Sequence, residues 1–153
     1  MTGPAGGSGR DHSGDIDRLG IALRVTSDDL DPDRITRMLG VNPSFAGRKG
    51  EEIDLHGVPV KQSIGTWRYA LPASPEWELG DAIDTLLEQL PADPALWESL
   101  AGWADVAIVC EIYVHHLVPH DRSHAAEIPP DTLARVAERR LALRLEIRGP
   151  QPE

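Results

Sequence analysis

The chain has 153 residues, 41% hydrophobic and 26% charged, with a formal net charge of -10. That is enough for one soluble domain with its own core, and so acidic a chain lacks the basic footprint that nucleic acid or an anionic membrane requires. One cysteine, Cys110, excludes an internal disulfide and a cysteine zinc cluster, and no apolar run reaches the roughly 18 to 20 residues of a membrane span. A cytoplasmic setting is the expectation.

Residues 1–18 are rich in glycine, serine and charge and read as a disordered tail; residues 19–149 read as a single domain and 150–153 as a short tail. In "LGIALRVTS", Ile21, Leu23 and Val25 alternate with Ala22, Arg24 and Thr26, the period-two pattern of a strand covered on one face. "TSDDLDPDRITRMLG" follows. Its Asp29, Asp31 and Asp33 have the spacing of the first ligands of a calcium loop, but Arg34 and Gly40 stand where that loop needs a glycine and a glutamate. Pro32 suits a first helical turn instead, with the aspartates as cap and first-turn acids.

Residues 40–65 read as a long loop holding a hairpin near "IDLHGVPVKQ", which could extend the sheet. "TWRYAL" sets Trp67, Tyr69 and Leu71 against Thr66, Arg68 and Ala70. Ser74-Pro75, Asp93-Pro94 and Pro129-Pro130 have the form of further helix starts, the last without a capping side chain. Between them Leu79, Ile83, Leu86, Leu87 and Leu90 make one helical stripe. "DVAIVCEIYV" reads as a central strand, because Ala107 and Val109 keep its second face apolar before Glu111 and Tyr113. "LALRLEIR" alternates Leu141, Leu143, Leu145 and Ile147 with Ala142, Arg144, Glu146 and Arg148. A faint repeat aligns "DPDRITRML" with "PPDTLARVA", matching Ile35 to Leu133 and Met38 to Val136. Together these elements predict an α+β two-layer sandwich, ferredoxin-like, with helices on one face of a mostly antiparallel four- to five-stranded sheet.

Chemistry is sparse. "VHHLVPHDRSH" offers His115, His116, His120, Asp121 and His124, but adjacent histidines on a strand point to opposite faces, so no specific metal site and no cofactor is expected. Cys110 falls mid-strand on the apolar face, where a thiol is inert. There is no nucleophile elbow and no phosphate-loop spacing. Charge is more informative: from Arg68 to Arg122 no lysine or arginine occurs, whereas Arg135, Arg139, Arg140, Arg144 and Arg148 crowd the end. If helices cover the face of Leu23, Tyr69, Ile112 and Leu145, the other face shows Arg24, Arg68, Glu111, Tyr113, Arg144 and Glu146. That face reads either as a binding surface or as an ion-pair lattice.

"ALRVTSDDLDPDRITRMLGVNPSFAGRKGE", "GTWRYAL", "ADVAIVCEIYV" and "IPPDTLARVAERRLALRLEI" together resemble the bacterial domain-of-unknown-function family 4279, over most of residues 21–148. The resemblance implies a stand-alone α+β domain of bacterial cytoplasm and no activity. It also singles out Arg48, Lys49 and Trp67 as a candidate ligand site or a tied-down loop beside a core tryptophan. Two function classes remain open. One is a non-catalytic binding module, in the manner of an acidic immunity protein, for a basic protein partner or a second copy. The other is a small-molecule domain or enzyme with Arg24, Arg68, Arg144 and Tyr113, or Arg48 and Lys49, facing an anion.

Overall fold

A computed structural model describes residues 18–74, 78–113 and 126–149. In chain order the elements are β1 (Arg18–Ser27), α1 (Pro32–Leu39), β2 (Phe45–Gly47), β3 (Glu52–Leu55), β4 (Val58–Lys61), β5 (Gly65–Ser74), α2 (Leu79–Glu88), α3 (Pro94–Ala101), β6 (Asp105–Tyr113), α4 (Pro130–Glu138) and β7 (Ala142–Arg148). Five strands form one sheet in the order β2-β5-β1-β6-β7, and β3 and β4 form a separate hairpin sheet. All neighbours in the large sheet are antiparallel except β6 and β7, which run parallel. The mixed, mostly antiparallel sheet matches the expectation. The ferredoxin-like arrangement is not confirmed, since the α4 crossover returns β7 parallel to β6 at the sheet edge.

One face of the sheet carries the core. Ile21, Leu23 and Val25 of β1, Trp67 of β5, and Ile108 and Cys110 of β6 are buried there against Ile35 and Leu39 of α1 and Ile83, Leu86 and Leu87 of α2. Trp97 and Leu100 of α3 and Val136 of α4 complete the layer. The leucine stripe of α2 is therefore buried as its spacing predicts.

Local chemistry explains most element ends. Asp31 caps α1, accepting from the Asp33 amide at 3.2 Å, with Pro32 in the first turn. Gly40 closes the same helix at φ 74, and its amide donates to the Thr36 carbonyl at 2.8 Å. Asp93 caps α3 in the same way through the Ala95 amide at 3.0 Å. The acidic run that opens like a calcium loop is thus a helix start, and Asp31 also accepts from Arg48 at 2.9 Å. Gly65 is fixed by space: a Cβ there would lie 2.6 Å from the Ser27 carbonyl oxygen and from Leu30 Cβ.

Three expectations need correction. The helix expected at Ser74 is displaced: Ser74 ends β5 opposite Leu19, and α2 begins at Leu79 after Glu78, which makes no side-chain cap bond. The His56-Gly57 hairpin exists, with both residues at positive φ, but it pairs only with itself. The sheet is extended by the three residues of β2, held by the Ala70 amide donating to Ser44 Oγ at 2.9 Å. The internal repeat fails at its key match. Ile35 is fully buried whereas Leu133 is 46% exposed, because α4 buries Thr132 and Val136 instead. The tail expectation for 1–18 and the histidine cluster 115–124 lie outside the described residues, except Arg18, which opens β1.

Candidate functional site

The face of the sheet turned away from the helices is where the charged strand residues meet. Side chains at even positions of β1 and β7 and odd positions of β6 from Asp105 onward point there, as do the even positions of β5 up to Ala70. Arg18, Arg24, Arg68, Arg144 and Arg148 share the face with Asp105, Glu111 and Glu146, an excess of two positive charges on a chain of net charge -10.

An ion-pair chain crosses the strands. Arg68 donates to Glu111 Oε1 at 3.1 Å, and Arg148 donates to Glu111 Oε2 at 3.2 Å. Arg148 also reaches Glu146 Oε1 at 2.9 Å, and Arg144 binds Glu146 Oε2 at 2.8 Å. The hydrogen bond from Arg144, with the charges of Arg144, Arg148 and Arg24, holds the Glu146 carboxyl below the ordinary carboxylate range. The bond to Glu111 raises Arg148 above the ordinary arginine value. Arg18 lies over the Tyr113 ring at 4.3 Å, a cation–π contact.

Arg24 stands apart from this chain. It is half-buried on β1 and directly opposite Arg68 in the register, yet no carboxylate among the described residues lies within ion-pair distance of it. Like charges facing each other across strands are destabilising. Beside Arg24 runs a cleft of about 500 Å³ lined by Arg24, Thr26, Asp105, Ala107, Ala142 and Arg144, among others. Its floor is small because Arg24 is in register with Ala107, and Ala107 with Ala142. Two guanidiniums flank an alanine floor, and one carboxylate closes the end.

The other candidates separate from this face. Trp67 is fully buried in the core and its indole N–H donates to Thr36 Oγ1 at 3.1 Å. Arg48 and Lys49 pair with Asp31 at 2.9 Å and Asp28 at 3.3 Å, and the Arg48 amide donates to Glu51 Oε1. These contacts fasten the 48–51 turn to the entry of α1. Cys110 is buried and its thiol is pushed up to about 12 by burial, so no thiolate is present near neutrality. Arg18 and Arg148 escaped the sequence reading as members of the face. The period-two step from Arg144 through Glu146 to Arg148 carried the signal for the second.

The structure defines an α+β domain whose sheet is covered by helices on one face and carries charge on the other. A family model described as "Domain of unknown function (DUF4279)" matches residues 17–149, and the chain belongs to that family. No curated protein and no solved structure matches the chain.

Proposed function

We propose that this chain is a non-catalytic binding module whose recognition surface is the face of the sheet turned away from the helices. Its ligand is a small organic acid. A carboxylate or phosphate sits between Arg24 and Arg144, and a hydroxyl or ammonium group of the same molecule donates to Asp105. The observation that carries this reading is Arg24 itself: an arginine with no carboxylate partner among the described residues, facing another arginine, on the rim of a cleft. A folded chain keeps such a conflict where an external anion resolves it. A bacterial cytoplasmic setting accompanies the proposal, supported by the single buried thiol.

The basic-partner reading draws on the acidic helix layer, and it has weaker support. Asp84 already accepts from Arg135 at 3.0 Å and Glu98 pairs with Arg140 at 3.6 Å, so the chain's own last helix and the turn after it engage part of that layer.

Melting curves with lactate, serine, citrate, inorganic phosphate and AMP test the proposal. At least one is expected to raise Tm in the wild type, by mass action, and to raise it less in Arg24→Gln. No shift with any of them, or a shift that survives Arg24→Gln, contradicts it.

A further inference from the structure

The edge strand β7 is apolar where it should be guarded. Leu145 and Ile147 point to the core side of the sheet, yet they are 50% and 70% exposed. β7 is last in the strand order, so its outer backbone groups pair with no strand of the described sheet. It is seven residues long, contains neither proline nor lysine, and its register with β6 runs unbroken from Ala142 to Arg148. Long apolar edges of this kind are templates for another strand.

The sequence of the edge says which strand. Read antiparallel to a second copy of itself about Leu145, "LRLEI" is self-complementary. Leu145 meets Leu145 of the second copy, Leu143 meets Ile147, and Arg144 meets Glu146, each pair occurring twice across the dyad. Centring the dyad on Arg144 or on Glu146 would set like charges face to face. A one-residue slip would set Leu145 opposite Arg144 and turn the two helix layers to opposite faces. The Leu145 centre aligns both apolar faces and sets Arg144 against Glu146 twice, whereas a dyad at Ile147 opposes Glu146 to Arg148 but leaves Leu145 facing Gly149 and pairs less of the strand; the Leu145 centre best meets what an isologous twofold interface requires.

We infer that the chain forms a symmetric dimer through antiparallel β7–β7 pairing centred on Leu145, joining two five-stranded sheets into one. The pairing covers Leu145 and Ile147 on the helix side. On the open side it adds an intermolecular Arg144–Glu146 pair to the lattice and makes the two arginine-bearing faces continuous.

Sedimentation equilibrium of the full chain from ~1 to ~100 μM spans the range in which a moderate dimer dissociates. The wild type is expected to sediment as a dimer that dissociates at the low end. Arg144→Glu or Glu146→Arg alone places like charges across the dyad twice and is expected to shift dissociation at least tenfold towards monomer. The double swap Arg144→Glu with Glu146→Arg is expected to restore the dimer, and circular dichroism of each single variant separates lost pairing from loss of the chain's own Arg144–Glu146 ion pair. Leu145→Glu, with circular dichroism to verify the fold, is expected to be monomeric. A wild type monomeric throughout, as when part of the chain itself covers β7, overturns the inference. A dimer indifferent to both single charge reversals and to Leu145→Glu overturns it equally.

Discussion

Arg24 and Trp67 show how differently two conspicuous residues can be used on neighbouring strands. Trp67 lies opposite Val25, points into the core, and anchors its indole N–H on Thr36 of α1. Thr36→Val leaves that buried donor without its partner, which costs about 1–3 kcal/mol. Urea denaturation at neutral pH is expected to show a loss of this size with an unchanged slope. Arg24 predicts the opposite sign. Arg24→Gln removes a like-charge opposition with Arg68, so the ligand-free variant is expected to melt at the same temperature as the wild type or higher, measured by calorimetry. Arg48→Ala and Lys49→Ala break exposed ion pairs and are each expected to cost less than about 1 kcal/mol while leaving anion binding unchanged.

The elements were legible where a single physical cause acts along consecutive residues. The α2 stripe, the Asp31 and Asp93 caps and the alternation of β1, β5, β6 and β7 are all local, and they fold as the spacing demands. Leu86→Ala is accordingly expected to cost about 2–5 kcal/mol, read from chemical denaturation, since the side chain is fully buried. What failed was decided by tertiary contact. Leu133 has the same place in the helical pattern as Ile35, but hydrogen bonds from Thr132 and Arg135 to Asp84 fix α4 against α2 with Leu133 turned outward. Ser74-Pro75 has the chemistry of a helix start, yet strand pairing with β1 claims Ser74 first. β2 has only three residues, too few for a period to show, and the parallel setting of β7 is written in no local signal. The open face was readable as a set of residues, while Arg24's lack of an ion pair among the described residues depended on how Glu111 and Glu146 are shared.

At the scale of the whole molecule, charge is sorted by layer. The helix side carries acids partly met by α4 and the turn after it, and the sheet face carries an arginine excess bound together by two glutamates. Glu146 titrates below its ordinary value of 4.5 in the folded chain, so its contribution to stability is present above that pH and is lost as pH falls through the lower folded value. Acid unfolding followed by circular dichroism is expected to begin at higher pH in Arg144→Ala, which removes the largest cause of that depression. The central claim is that the cleft beside Arg24 receives an anion. Amide NMR during a titration with whichever of the five anions raises Tm most tests it most directly. The account predicts saturable shifts confined to Arg24, Thr26, Asp105, Ala107, Ala142 and Arg144. Shifts centred on the 48–51 turn or the helix layer, or none at all, would contradict it.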